Sequence, residues 1–262
     1  MQLESVKRFK ASLTPSAATA FLSAGGPGAG GFLWPPSNSD VAMDDVSFRV
    51  AYCRRLGGGL RPLQMEQQCC HVGRTGQCSQ QIDAMGHHGR VCPTGGFVIK
   101  RHDRVLQWLA AWLNQGRIHS PALCEQLCPD EAGRLDIAFH HDAKLWWVDV
   151  EVTSAVSTVE RVNIHRARHA GAAARDGEQQ KRARYSNRAI PFILEANGRP
   201  GQSAQAFIRR FAADAASGFS TSAADAWRDL SSVLQSGNAQ LELSAYGAAA
   251  LEQQRCELFM PG

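Results

Sequence analysis

The sequence predicts a domain of the α/β (α+β) class, in which helices flank a mixed central sheet. Three patterns indicate it: an apolar hairpin at residues 134–155, an amphipathic helix before it, and a helix, a strand and further helices after it. The chain has 262 residues, 44% hydrophobic and 20% charged, as in one sizeable globular domain. No apolar run reaches the roughly 18 residues of a membrane span. The first residues lack the apolar core of a signal peptide, so we expect an intracellular protein without a membrane partner.

The elements before the hairpin follow from periodicity and from the glycines that end them. Residues 23–40 are rich in Gly, Pro and Ser, which predicts a loop or linker. Residues 44–57 have a short helical pattern that ends at a run of glycines. Residues 101–116 place six apolar side chains at helical spacing, and Gly116 ends this helix.

The elements after the hairpin begin with a basic helical pattern at residues 163–185. Gly171 and Gly177 interrupt it, and glycine lowers helix stability, so its continuity is in question. Residues 189–196 predict a strand that ends in a turn. Three further helical patterns close the chain, at residues 204–216, 223–235 and 240–254.

The two strands of the hairpin carry three carboxylates in an apolar setting. Side chains alternate along a strand, so the valines at 148, 150 and 152 share one face, whereas Asp149 and Glu151 share the other with Trp147. If residues 141–144 form the turn, Asp136 on the first strand lies close to Asp149. Acidic oxygens gathered at one place are what Mg²⁺ binds. The alternative is an edge strand with a solvated acidic face.

A cysteine and histidine segment precedes the helix at 101–116. The chain has eight cysteines and no export signal, which indicates reduced thiols or a metal site rather than a disulfide framework. Seven potential ligands lie close together: Cys69, Cys70, His71, Cys78, His87, His88 and Cys92. Thiolates and imidazoles at this spacing suit tetrahedral Zn²⁺. His88 and Cys92 predict one ligand pair, and Cys78 with Cys70 (or Cys69) the other. The spacing leaves Cys69, Cys70 and His71 open as the first ligand, and a loop of unligated cysteines is the alternative.

The order acid, strand, turn, strand, acid-x-acid is similar to the PD-(D/E)xK nuclease core. Leu135 stands in the proline slot and Glu151 in the lysine slot. This order of acids and strands occurs with the Cys/His segment, "RHDRV" and "KRARY…AIPFILEANGRPG". The combination resembles the C-terminal restriction-like endonuclease region of non-LTR retrotransposon polyproteins, over roughly residues 69–215. In that family a zinc knuckle precedes an Arg-His-Asn motif, and the catalytic lysine lies on the helix after the acids.

The resemblance implies roles for particular residues. Asp136 and Asp149 would hold Mg²⁺ (or Mn²⁺), and Lys181 would orient the attacking water. Glu151 would complete this catalytic set, and Glu125 matches a further acid before the core, with a solvated surface residue as its alternative. The DNA contacts would come from Arg101, His102, Arg182, Arg184 and Tyr185. The net charge of +4 is compatible with such contacts but is by itself a weak sign of them.

The resemblance also implies a domain order and a function. Residues 1–65 would be a connector downstream of a missing reverse transcriptase, 66–96 a zinc knuckle, 97–215 the nuclease core, and 216–262 a helical C-terminal extension. The protein would be a nuclear, metal-dependent DNA endonuclease that nicks target DNA to prime reverse transcription. Its partners would be DNA and the element's RNA, within a larger polyprotein. The alternatives are a catalytically decayed, zinc-stabilised nucleic-acid-binding remnant and a zinc-stapled interaction domain.

Overall fold

The computed structural model describes residues 2–57, 67–82, 86–116, 120–127, 133–213 and 222–247. The helices in these ranges are α1 (Gln2–Ala11), α2 (Pro15–Ala24), α3 (Asp45–Arg55), α4 (His87–Val91), α5 (Phe97–Gln115), α6 (Glu160–Arg166), α7 (Ala172–Arg184), α8 (Gln202–Ala213) and α9 (Ala223–Tyr246). The strands are β1 (Gln67–Gln68), β2 (Val72–Gly73), β3 (Gly76–Gln77), β4 (Gln81–Ile82), β5 (Leu123–Leu127), β6 (Arg134–His141), β7 (Lys144–Thr153) and β8 (Ala189–Glu195). The predicted class, an α+β domain with a mixed sheet flanked by helices, is confirmed.

The main sheet has four strands in the order β5-β6-β7-β8. Strands β5, β6 and β7 are antiparallel, and β8 runs parallel to β7 after a crossover through α6 and α7. The predicted hairpin is confirmed: His141 pairs with Lys144 across a turn in which Asp142 and Ala143 both have positive φ. This register carries the valines of β7 into the core and its acids to the opposite face.

The main core lies on the face of the sheet covered by α5, α8 and α9. Its fully buried members include Leu109 of α5, Phe139 of β6, Val148 of β7, Phe192 of β8 and Phe211 of α8. The buried face of α5 is the apolar stripe that the sequence predicts. Helix α9, expected within an extension, adds Ala226, Leu230 and Leu234 to this same core.

Two predictions about helix continuity are corrected by the structure. The pattern at 163–185 forms two helices, separated by a turn in which Gly171 has φ +75°. Gly177 lies inside α7, where a Cβ would come within 3.4 Å of Ile193. The patterns at 223–235 and 240–254 form the single helix α9, which continues through Gly237. Residues 248–254 of the second pattern lie outside the described residues.

The segment predicted as a linker packs closely on α9. Ser37 donates hydrogen bonds from its backbone N–H and its hydroxyl to Asp229 at 2.6 and 2.5 Å. A Cβ at Gly31 would lie 2.7 Å from the Trp227 carbonyl oxygen, so only glycine fits this approach. Residues 23–24 of the predicted linker belong to α2, and the rest is a loop with two short 3-10 helices, Gly31–Leu33 and Ser39–Val41, that contacts α9. Among the described helices, none is long and apolar enough to cross a membrane.

We predict that Leu109→Ala lowers the free energy of unfolding by about 2–5 kcal/mol, because Leu109 is fully buried between α5 and the sheet. The matched control is Leu127→Ala on β5, where the side chain is 74% exposed and the same truncation should cost below about 0.5 kcal/mol. Urea denaturation followed by circular dichroism measures both variants. Equal losses would contradict this assignment of the core.

Candidate functional site

Four charged side chains meet where β6, β7 and α7 come together, and we call them the acid site: Asp136, Asp149, Glu151 and Lys181. The hairpin pairs Ile137 with Val148, so Asp136 and Asp149 are the next opposed positions along the same register. Directly opposed residues of an antiparallel pair point to one face of the sheet. The hairpin thus gathers the acids, and the crossover to β8 brings the lysine of α7 over them.

Asp149 is the buried centre of the acid site. Its side chain is only 6% exposed, and its Oδ2 lies 2.6 Å from Lys181 Nζ. The same ammonium lies 3.5 Å from Glu151 Oε2. The other oxygen of Asp149, Oδ1, accepts a hydrogen bond from the Tyr185 hydroxyl at 3.3 Å. Lys181 and Tyr185 are one helical turn apart, so the end of α7 holds both oxygens of this carboxylate.

The pKa values in this group reflect burial opposed by pairing. Burial raises the pKa of the Asp149 carboxyl, and the pairing with Lys181 offsets only part of that effect. Burial alone would lower the pKa of Lys181, but the hydrogen bond and charge of Asp149 outweigh it, and the pKa is raised. The lysine is therefore held as an ammonium between two carboxylates.

His102 of α5 connects to the acid site through Asp136. Asp136 Oδ2 accepts the Val150 backbone N–H at 2.6 Å, just beyond the last backbone pair of β6 and β7, Ile137 with Val148. The His102 Nε2 lies 3.4 Å from the same oxygen and 3.2 Å from the Val150 carbonyl oxygen, while Nδ1 lies 3.2 Å from Asp103 Oδ1. The hydrogen bond with Asp136 is the largest cause that raises the pKa of His102 to about 9.

Two residues of the predicted DNA-contact set, Arg101 and Tyr185, are buried. Arg101 is 4% exposed, and its guanidinium donates to the Arg90 carbonyl oxygen at 3.0 Å and to Asn238 Oδ1 at 2.8 Å. Tyr185 is also 4% exposed and packs with Leu135 in a small apolar cluster. Both side chains are therefore engaged inside the protein. Arg101 and Tyr185 lie on segments whose basic, amphipathic pattern predicts exposure. The sequence therefore did not indicate that neighbouring elements bury them.

The remaining predicted site residues occupy different surroundings. His102 is 28% exposed and faces Asp136, as described above. Arg182 is exposed but donates to Ser203 Oγ at 2.6 Å on the α8 side of α7. Arg184 is exposed beside Gly133, just before β6. Glu125 on β5 forms its ion pair with Arg134 at 2.8 Å, and both side chains are more than half exposed. The structure brings Glu125 to an arginine rather than to Lys181.

A second group of side chains, which we call the Cys/His cluster, could bind a metal ion: Cys69, Cys78, His88 and Cys92. Their ligand atoms lie within 4.8 Å of one another, with Cys69 and Cys92 sulfurs 3.9 Å apart and Cys78 Sγ 3.4 Å from His88 Nε2. Burial raises the pKa of the Cys69 thiol to about 12. Three sulfurs and one imidazole nitrogen, gathered at one largely buried place, are a ligand set that suits a tetrahedral metal ion.

The structure places Cys69 in the cluster, which was the alternative to the preferred Cys70. Cys69 is fully buried, whereas Cys70 is partly exposed, and its sulfur lies beside Gly247. Neighbouring side chains in an extended chain point to opposite sides, so only one of two adjacent cysteines can face the cluster. His71 is held elsewhere, with Nε2 2.8 Å from Ser244 Oγ.

The chain was compared with protein-family models, with curated proteins and with solved structures, and none of them matches. The geometry of the two sites is therefore the observation from which a function is inferred.

The position of His102 predicts how stability changes with pH. Its pKa is raised from about 6.5 to about 9 in the folded protein, so its stabilisation is complete below pH 6.5 and disappears as the pH rises through 9. Without added divalent metal, the free energy of unfolding of the wild type should exceed that of His102→Asn by about 1–3 kcal/mol near pH 6. This difference should disappear as the pH approaches 9. Urea unfolding across this range measures the gap. A gap that stays constant would contradict the charged imidazole.

Proposed function

We propose that the chain is a metal-dependent DNA endonuclease with a restriction-like core. The observation that carries the proposal is the ammonium of Lys181 between Asp149 and Glu151, at 2.6 and 3.5 Å, with Asp136 opposite on β6. A structural ion pair needs one acid and one base. Two carboxylates on one partly buried lysine, with a third carboxylate opposite Asp149, exceed that need and are typical of a site for a divalent cation and a phosphate.

The residues of the acid site divide the chemistry between them. Asp136 and Asp149 would hold Mg²⁺ or Mn²⁺, because their hard oxygens suit such ions. When bound, the ion supplies positive charge for the phosphodiester and lowers the pKa of a water molecule. Lys181 orients that water and stabilises the charge that develops on the phosphate. Tyr185 and His102 fix the two aspartates, which keeps their oxygens in place.

A basic rim supports DNA as the substrate. Arg134, which also forms the ion pair with Glu125, lies two residues before Asp136, and Arg184 and Arg188 flank the buried Tyr185 at the end of α7. All three arginines are exposed. A guanidinium group can donate two hydrogen bonds to the oxygens of one phosphate. Neutralisation of the phosphate charge also releases counterions, which favours binding. A duplex phosphate held by this rim would lie next to the acid site.

The wider biological role rests on the sequence resemblance. We propose that the nick exposes a 3′-hydroxyl that primes reverse transcription in the nucleus, with DNA and the element's RNA as partners. Within this proposal the Cys/His cluster holds a structural Zn²⁺, because its three sulfurs and one nitrogen match the ligands of such sites.

One observation favours a second candidate, a nucleic-acid-binding remnant without nuclease activity. Both oxygens of Asp149 are already occupied, by Lys181 and by Tyr185. His102 similarly occupies one oxygen of Asp136. A site whose charges satisfy one another is stable without a divalent cation. The two candidates differ only in whether a divalent cation is bound and DNA is cut.

Nicking of supercoiled plasmid with Mg²⁺ or Mn²⁺ separates these candidates. We expect Asp149→Asn and Lys181→Met each to slow nicking by about 100-fold or more, because each removes a group that acts on the developing charge. The matched control is Asp142→Asn, at the turn of the same hairpin and far along β7 from the acids. If all three variants nick at the wild-type rate, this acid site is not the nuclease site. If no protein nicks while all bind DNA, the remnant is favoured.

The adjacent cysteines provide a second paired experiment. Cys69→Ser should remove most of the zinc bound by the purified protein, because it deletes a buried ligand of the cluster. Cys70→Ser should leave about one zinc ion per chain, since its sulfur lies outside the cluster. Elemental analysis by mass spectrometry measures both. Equal zinc content in the two variants would contradict the assignment of Cys69.

A further inference from the structure

The first turns of helix α5 contact residues next to the Cys/His cluster and one member of the acid site. Arg101 and His102 are consecutive residues on α5 whose side chains contact different elements. Arg101 reaches α4, the short helix that contains His88 and ends just before Cys92, where it donates to the Arg90 carbonyl oxygen at 3.0 Å. His102 reaches the acid site, 3.4 Å from Asp136 Oδ2.

The contacts of Arg101 fix its position rather than leave it adaptable. The guanidinium also donates to Asn238 Oδ1 on α9 at 2.8 Å, and the side chain is 4% exposed. A Cβ at Gly237 would lie 2.9 Å from Arg101 Cγ, so α9 has room for the arginine only because this residue is glycine. A closely packed arginine of this kind would transmit a displacement of α4 to the backbone of α5.

A second contact links the same turns of α5 to the cluster segment. The Phe97 ring, at the start of α5, stacks on His71 with centroids 4.6 Å apart. His71 lies two residues after the ligand Cys69 and bonds to Ser244 of α9 at 2.8 Å. The first turns of α5 are therefore held from both halves of the Cys/His cluster, through His71 on one side and Arg90 on the other.

We propose that Arg101 is a positioning residue through which metal binding at the Cys/His cluster sets the geometry of His102 and Asp136 in the acid site. This inference rests on the nuclease proposed above for its effect on activity, but the geometric coupling does not need it. With the cluster filled, α4 is fixed and Arg101 holds α5 in register. With the cluster empty, the metal no longer restrains His88 and Cys92, so α4 is free to shift. The first turns of α5 then move with α4.

The test uses the NMR signal of the His102 ring, identified by its loss in His102→Asn. In the whole wild-type chain, removal of zinc by a chelator should shift this signal, and restored zinc should return it. Arg101→Gln should keep its zinc and shift the signal in the same direction without chelation. It should also lower kcat for nicking by at least 10-fold, with the KM for DNA unchanged. Arg104→Gln, one turn further on and exposed, is the matched control for the signal.

Gly237→Ala gives a second variant in case Arg101→Gln does not fold. Alanine favours a helix, and its Cβ displaces Arg101 while the charge is kept. This variant should shift the His102 signal in the same direction. An unchanged His102 signal in zinc-free, folded protein would overturn the coupling. A variant that weakens DNA binding without the shift would overturn it too, because Arg101 would then be a DNA contact. If the signal shifts but no protein nicks DNA, the coupling is supported and the nuclease proposal fails.

Discussion

The ion pair between Asp149 and Lys181 is the interaction on which the arrangement of the sheet and α7 depends. A carboxylate that is 6% exposed is costly without a partner, and removal of one member of a buried pair costs about 3–5 kcal/mol. The lysine comes from a helix that the chain reaches only through the crossover between β7 and β8. Packing of α7 on the sheet and satisfaction of Asp149 are thus the same event. Tyr185, at the end of this helix, completes the carboxylate's surroundings.

Much of the fold was predictable because it follows from short-range patterns. Alternation in "LWWVDVEV" determines which face of β7 is apolar, and the two-residue turn fixes the register that opposes Asp136 and Asp149. Helical spacing likewise predicted the buried stripe of α5. The place of Lys181 in the acid site was predicted from the family resemblance instead. Nothing in the periodicity of α7 distinguishes Lys181 from Arg184, because the neighbour that each side chain meets is decided by tertiary packing.

The parts that sequence could not predict share one physical cause, which is contact between segments distant in the chain. Arg101 lies on an amphipathic helix where a charge predicts exposure, yet Gly237 of α9 opens a space that buries it. The sequence predicts two separate helical patterns here, 223–235 and 240–254, and the close approach of Arg101 explains why a glycine lies within the continuous helix α9. Cys69 and Cys70 have equivalent spacing to the other ligands. Only the direction of the chain after β1 decides between them.

The central claim is that the acid site binds a divalent cation, and Mn²⁺ tests it most directly. Electron paramagnetic resonance reports free Mn²⁺, whose signal falls when the ion binds to protein. With the zinc-loaded chain, the account predicts that wild type removes the free Mn²⁺ signal and that Asp136→Asn, which deletes one oxygen ligand, does so much less. Equal signals with both proteins, whether the ion binds elsewhere or not at all, would contradict the account.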